Sequence, residues 1–130
     1  MLFRSAGRFD AAALLAQRVR ATVLLKGVPT VVADAHRTLV VAAGTPVLAT
    51  GGSGDVLGGI VATLLAQTGD ATAAAASGAW AHGRAAEIAG AGRIRGVNLD
   101  DVVEALANAW YLPPRVAADV LVELPAVGTR

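Results

Sequence analysis

The spacing of apolar residues changes twice along the chain, and each change predicts a different kind of element. From Asp10 to Ala21 the apolar residues recur at helical spacing, which predicts a short helix with Asp10 as its N-cap. The run Thr22-Val23-Leu24-Leu25-Lys26 is β-branched and apolar, as is typical of a strand. Two similar runs at 30–34 and 38–42 are separated by a short polar segment, so they predict a β-hairpin.

Helical spacing returns after a glycine-rich loop. Residues 44–54 contain a proline and several glycines, which disfavour regular structure. Directly after this loop the apolar spacing predicts a helix over 55–67, followed by an alanine-rich helix over 71–91. A last helix is expected to begin near Asn98, which is a good N-cap residue. The apolar run 116–124 fits either a helix or a strand.

This order of one helix, three strands, a glycine loop and three helices predicts an α/β fold with a short β-sheet and packed helices. Three strands are too few to cover four helices, so residues 1–130 are expected to form a single incomplete domain. The open sheet edge and the uncovered apolar helix faces predict that the chain associates with copies of itself as a homo-oligomer.

Composition narrows the class of protein. A hydrophobic content of 55% with 16% charged residues excludes a disordered chain. The net charge of +1 is not gathered into a basic stripe, so nucleic acid is not an expected partner. The absence of cysteine excludes disulfides and zinc–thiolate sites. The sequence shows neither a secretory signal nor an apolar run of about 18 residues, so no membrane partner is expected and the predicted location is cytoplasmic.

The glycine loop suits an anion. It opens directly into a helix, and the first N–H groups of a helix are unpaired and lie at the positive end of its dipole. Glycines let the backbone come close to a phosphate, and the hydroxyls of Thr50 and Ser53 are expected to add donors. The loop is neither a P-loop, because no lysine stands at the helix start, nor a dinucleotide fingerprint, because Gly52-x-Gly54 is followed by Val56-Leu57.

An aspartate, Asp55, stands at the helix start instead. Its charge would repel a phosphate, so it is expected to face a second substrate, whose hydroxyl it could orient or deprotonate while the backbone amides hold the transferring phosphoryl group. The alternative is a first-turn acid that the helix dipole merely favours. Lys26, the chain's single lysine, stands at a strand end and is either a phosphate contact or a solvated charge.

These residues resemble a known family. The segment Thr50-Gly51-Gly52-Ser53-Gly54-Asp55-Val56-Leu57-Gly58-Gly59-Ile60 looks like the signature of the ADP- or ATP-dependent NAD(P)H-hydrate dehydratases, which are ribokinase-like. Two other segments agree in order and spacing, Val23 to Ala33 and Ala81-His82-Gly83-Arg84-Ala85-Ala86-Glu87. The resemblance covers roughly residues 20–110 and corresponds to the C-terminal half of a ribokinase-like domain.

The resemblance implies an activity. Such enzymes dehydrate the S epimer of hydrated NADH or NADPH while ADP, or in other members ATP, is split, with Mg²⁺ as the accompanying ion. It implies that Asp55 contacts the hydrated nicotinamide and acts in catalysis, and it implies no protein residue as a metal ligand. The residues expected to bind the adenine nucleotide are Lys26, Gly27, Val28, Pro29, Thr30, Thr50, Gly51, Gly52, Ser53 and Gly54.

Two alternatives stay open. The Gly-x-Gly-Asp motif is shared with small-molecule kinases of the same superfamily, and a self-assembling piece that binds nucleotide without turnover is the third possibility. A family domain is about twice as long as this chain, so the chain is expected to be inactive alone. In addition, Ala42-Ala43-Gly44-Thr45-Pro46 stands where relatives commonly carry an asparagine-containing stretch.

Five other polar or aromatic positions are predicted to be structural. His82 is expected to be a packed, hydrogen-bonded histidine rather than a catalytic base. Asp100 and Asp101 are explained by the start of a helix, and Trp80 and Trp110 by the core or a subunit interface.

Overall fold

A computed structural model describes residues 7–111 and 121–125. The described elements are, in chain order, α1 (Arg8–Val19), β1 (Val23–Leu25), β2 (Thr30–Ala33), β3 (Thr38–Val41), a 3-10 turn (Pro46–Leu48), α2 (Ser53–Thr68), α3 (Ala71–Gly90), α4 (Leu99–Ala109) and β4 (Leu121–Leu124). The predicted α/β class and the order of the seven predicted helices and strands are confirmed. The single incomplete domain stays a prediction.

The four described strands form one antiparallel sheet in the order β1-β2-β3-β4. Leu24 lies opposite Val32, and Val32 lies opposite Leu39. The expectation of three strands was too low, because the undecided run 116–124 contributes β4, in which Val122 pairs with Val40 of β3. Residues 116–120 of that run lie outside the described residues.

Strand β2 is buried along its whole length, because helices cover both faces of the sheet. Side chains alternate along a strand, so Val31 faces α1 and packs against Ala12 and Ala16, whereas Val32 faces α3 and packs against Ala75. Helix α3 also packs against α2 and α4. Small side chains in α3 permit this close packing: an added Cβ at Gly78, for example, would lie 2.7 Å from the side chain of Val61 in α2.

The helix ends follow local capping rules. Asn98 and Asp101 form a capping box, in which each side chain accepts a hydrogen bond from the other residue's backbone N–H at 3.0 and 2.9 Å. This confirms the cap explanation for the acidic pair. Two predicted starts were late: α1 begins at Arg8, with Asp10 in its first turn, and α2 begins at Ser53 rather than at Asp55.

Asp34 joins the β2–β3 hairpin to α3. Its carboxylate accepts hydrogen bonds from the backbone N–H groups of His36 and Arg37 at 2.8 and 2.9 Å and from the hydroxyl of Thr72 at 2.8 Å. Burial by itself raises the pKa of Asp34, but these hydrogen bonds together lower it to about 2. Asp34 is therefore a structural residue, whereas His36 lies exposed in the turn.

The two tryptophans contact each other where α3 meets the end of α4. The ring centroids of Trp80 and Trp110 are 6.1 Å apart with an interplanar angle of 57°. Trp80 is half-buried and Trp110 is 45% exposed, so the pair lies at the border of the core. Within residues 7–111 and 121–125, no helix is long and apolar enough to cross a membrane.

Candidate nucleotide site

A cavity of about 240 Å³ lies between the end of β1 and the loop that follows β3. One wall comes from the turn after β1, the other from residues 43–49, and the base from α2 and α3. The lining residues are Lys26, Gly27, Val28, Thr30, Ala43, Gly44, Thr45, Pro46, Leu48, Ala49, Leu57, Ala79 and His82. Four residues of the predicted Lys26–Thr30 segment therefore line the cavity, and Pro29 is not among them.

Lys26 links the two walls. Its Nζ donates a hydrogen bond to the carbonyl oxygen of Leu48 at 3.0 Å, across 22 positions of sequence. The residue is exposed, and an ammonium has three donors, so the contact with Leu48 leaves donors for a ligand. This placement fits a phosphate contact better than a charge that only faces solvent.

The turn after Lys26 is held by Thr30. The hydroxyl of Thr30 donates to the carbonyl oxygen of Gly27 at 2.9 Å and accepts from the N–H of Gly27 at 3.3 Å. Thr30 is only 7% exposed, whereas Val28 is 66% exposed. Thr30 thus holds the turn from its buried side, and the side chain of Val28 is exposed.

The glycine loop brings an open backbone donor to the start of α2. Gly52 is the N-cap with a φ of 80°, a left-handed conformation that favours glycine, and it caps the helix without a side-chain hydrogen bond. The N–H groups of Asp55 and Val56 donate to its carbonyl oxygen at 3.0 and 3.1 Å. Among the described residues, the N–H of Gly54 has no acceptor, and an added Cβ at Gly54 would meet nothing within 4 Å. This end of α2 can therefore receive an anion.

The hydroxyl of Ser53 does not face this open space. Ser53 is 0% exposed, and its Oγ lies 3.4 Å from Nε2 of His82, which is itself 2% exposed. Its N–H donates to the carbonyl oxygen of Thr50 at 3.3 Å. The expectation that the Ser53 hydroxyl adds a donor for the ligand was wrong, because the side chain points into the protein. Thr50, Gly51 and Gly52 are exposed.

Helix α3 supports the wall formed by residues 43–49, which the sequence interpretation missed. An added Cβ at Gly83 would lie 2.4 Å from the backbone oxygen of Ala43, so α3 and the loop touch only because position 83 is glycine. Glu87 accepts a hydrogen bond from the N–H of Gly44 at 2.9 Å. The segment from His82 to Glu87 agreed with the family in spacing, and that agreement was the one available signal.

Asp55 lies in the first turn of α2, beside Gly54, and is exposed. In the described part of the chain its carboxylate makes no hydrogen bond or ion pair, and it does not line the cavity. Nor do the described residues contain a group of three or more His, Cys, Asp or Glu that could hold a metal ion. Asp55 is thus accessible to a molecule bound outside the cavity.

The buried imidazole makes stability dependent on pH. Burial, with a smaller contribution from the charge of Lys26, lowers the pKa of His82 from 6.5 to about 4. Between these two pH values, His82 is protonated in the unfolded chain and neutral in the folded chain. The free energy of unfolding should therefore fall as the pH drops from 6.5 toward 4. The contribution of Asp34 is lost only below 3.8, outside this window.

Urea unfolding between about pH 7 and about pH 4.5 checks this prediction in the wild type and in His82→Gln. We expect the wild type to lose more of its free energy of unfolding over this range than the variant, which has no titrating ring. Equal losses would contradict a buried, neutral His82.

Comparison with solved structures identifies the fold of this chain. Hydroxyethylthiazole kinase from Pyrococcus horikoshii OT3 superposes with a TM-score of 0.71 over 90% of this chain and 46% of that chain, at 21% identity. A sheet with helices on both faces and a glycine loop opening into α2 thus defines a ribokinase-like α/β fold.

Residues 2–108 match the model of the NAD(P)H-hydrate dehydratase family. The chain belongs to this family, which confirms the resemblance seen in the sequence. It is 52% identical over 69 residues to the ADP-dependent (S)-NAD(P)H-hydrate dehydratase of Neisseria meningitidis serogroup B, a stretch covering 52% of this chain and 23% of the relative.

Two other relatives extend the match. The enzyme of the same description from Cenarchaeum symbiosum is 42% identical over 64% of this chain and 29% of its own length. The bifunctional NAD(P)H-hydrate repair enzyme Nnr of Synechocystis is 40% identical over 85% of this chain and 22% of its own length. The chain therefore spans less than a third of these curated relatives.

Proposed function

We propose that this chain provides the adenine-nucleotide site and the catalytic aspartate of an ADP-dependent (S)-NAD(P)H-hydrate dehydratase, a carbon–oxygen lyase. The observation that supports this most is the cavity that Lys26 bridges, at whose base His82 contacts the first residue of α2. The names of the relatives support hydrated NADH or NADPH as the substrate and ADP as the co-substrate. The same proposal can be made with ATP as the co-substrate, and binding measurements must distinguish the two nucleotides. The cytoplasmic location of the protein stays a prediction.

The nucleotide residues have distinct parts in this proposal. Lys26 neutralises phosphate charge from one wall, and the open N–H of Gly54 donates to a phosphate oxygen from the positive end of α2. The exposed loop Thr50–Gly52 lets the phosphates approach the backbone, and the turn Gly27–Thr30 borders the cavity for the rest of the nucleotide.

Asp55 acts on the second substrate. Its carboxylate takes the proton of the ring hydroxyl as that oxygen attacks the terminal phosphorus of ADP, and the bond from this phosphorus to the bridging oxygen breaks to release AMP. The phosphate then leaves the ring carbon with the bonding electron pair, the neighbouring carbon gives its proton to water, and the electron pair of that C–H bond restores the ring double bond. Backbone donors at α2 stabilise the charge on the transferred group.

Mg²⁺ belongs to this proposal only as a companion of the nucleotide. Because the described residues hold no cluster of metal-ligating side chains, its ligands would be mainly phosphate oxygens and water, as is common for this ion. We assign no protein residue to it.

Lys26→Ala should weaken ADP binding by roughly 1.5–3 kcal/mol, the range for a charge-assisted hydrogen bond. Lys26→Gln is the informative companion, because it retains a donor for the Leu48 carbonyl but carries no charge. Titration calorimetry with ADP, AMP and ATP measures both. Wild-type affinity in Lys26→Gln would show that Lys26 only ties the loop, and Arg18→Ala on α1 controls for a general loss of positive charge.

A product assay tests the reaction itself. Incubation of hydrated NADH with ADP should regenerate the absorbance of reduced nicotinamide and release AMP and phosphate in equal amounts. A stable phosphorylated product would instead identify a small-molecule kinase. The assay is run on the chain alone and on the chain joined to the remainder of a relative's domain. If both bind nucleotide and neither forms either product, only the binding function is left.

We also propose that the chain self-associates. Leu14, Leu15 and Val19 of α1 are each about half exposed, at 52%, 47% and 51%, and β1 pairs only with β2 among the described strands. Light scattering at tens of micromolar should give a mass well above 13.0 kDa, and Leu15→Glu should lower it. A wild-type monomer of 13.0 kDa would contradict the proposal.

A further inference from the structure

We infer that His82 is a positioning residue for the anion-binding end of α2, which it holds in place through Ser53. The ligand-binding consequence rests on the proposed function, but the positioning can be measured without any ligand.

The two side chains need each other because both are removed from water. Ser53 is 0% exposed and His82 is 2% exposed, and Oγ of Ser53 lies 3.4 Å from Nε2 of His82. A buried polar group that loses its partner costs far more than an exposed one. The contact therefore restrains whichever of the two residues is less firmly held elsewhere.

Ser53 is the less firmly held partner. The N-cap of its helix is Gly52, which provides no side-chain hydrogen bond, and the preceding loop is exposed. Across residues 50–56, the bond to His82 is the only side-chain hydrogen bond that the described structure contains. The first turn of α2, with the open N–H of Gly54, is thus tied to the body of the protein by a single polar contact.

His82 is the firmly held partner. It lies in the middle of the 20-residue helix α3, whose earlier turns pack on the sheet through Ala75 and Ala76. The next residue, Gly83, touches the backbone of Ala43, and Glu87 accepts from the N–H of Gly44. Helix α3 therefore fixes the loop after β3 and the start of α2 relative to each other, and His82 makes the second of these connections.

Hydrogen exchange in the ligand-free protein tests the inference. We expect His82→Leu to speed exchange of the Asp55 and Val56 amides, which bond to Gly52, by about tenfold relative to the amides of α3. Ser53→Ala removes the same bond with little risk to folding and should give the same local effect. His82→Gln, which can still reach Ser53, should restore much of the protection.

Thr72→Val is the matched control. Thr72 is also a buried polar residue of α3, and it bonds to Asp34 far from the loop, so its loss should lower stability without selective exchange at Asp55 and Val56. In the ADP titration, His82→Leu and Ser53→Ala should each raise Kd by about tenfold and the double variant by no more than either, because they break one contact.

Unchanged relative exchange at Asp55 and Val56 in both Ser53→Ala and His82→Leu would overturn the inference. Selective exchange in these variants, with no ADP binding in the folded wild type, would support the positioning role and contradict the proposed nucleotide site. The two failures are therefore distinguishable.

Discussion

Replacing Asp55 with asparagine should lower turnover of hydrated NADH by about 10²–10⁴, the usual contribution of a positioned acid–base group. Asparagine keeps the size and hydrogen-bonding reach of the side chain but cannot take a proton at neutral pH. ADP affinity should be unchanged or slightly higher, because a negative charge beside the phosphates is removed. A fall in kcat with an unchanged Kd for ADP thus separates catalysis from binding.

Asp100→Asn is the matched control, because Asp100 is also an exposed acid in the first turn of a helix. It should keep full turnover. The assay requires a species that turns over, either this chain or a chimera in which it replaces the matching segment of the Neisseria meningitidis relative. If Asp55→Asn retained near-wild-type turnover there, Asp55 would be only a helix-start acid favoured by the dipole.

Replacing Gly54 with valine should weaken ADP binding by about 100-fold or more. The side chain would fill the space through which a phosphate reaches the N–H of Gly54 and would remove a hydrogen bond to a charged group. The fold should survive, because an added Cβ there meets no atom within 4 Å. Calorimetry with ADP and a thermal unfolding curve, run on the same sample, measure both effects.

Gly58→Val controls for a β-branched residue in α2. Gly58 is exposed and has open space around it, and it lies one turn further, about 6 Å along the helix axis. The control should bind ADP like the wild type. An equal loss of affinity in both variants would mean that distortion of α2, and not a blocked approach, explains the result.

The local signals in the sequence were sufficient for most of the fold. Helical spacing, the hairpin runs and the capping residue Asn98 act over a few positions, and the structure follows them with shifts of about two residues at helix starts. The strand β4 could not be predicted, because residues 121–124 of the run 116–124 form a strand only by pairing with β3. Pairing partners far apart in sequence leave no periodic signal.

Of the candidate site, the sequence suggested only the residues that are proposed to face the ligand. Lys26 and the glycine loop carry recognisable residue types, whereas the support beneath them depends on contacts between residues far apart in sequence. Ser53 and His82 are 29 positions apart, and Gly44 and Glu87 are 43 positions apart. The direction of the Ser53 side chain followed from packing against α3, so its chemistry alone suggested the wrong role. His82 was correctly expected to be packed and hydrogen-bonded, but its contact with the loop was not foreseen.

Amide chemical shifts recorded during an ADP titration test the central claim most directly, because they locate the nucleotide without requiring turnover. We expect progressive shifts at Gly27 and at Gly52 to Asp55, and no change at Gly69, the C-cap at the far end of the 16-residue helix α2. A folded protein whose amides at Gly27 and at Gly52 to Asp55 do not respond to ADP, or respond no more than Gly69, would contradict the proposed nucleotide site.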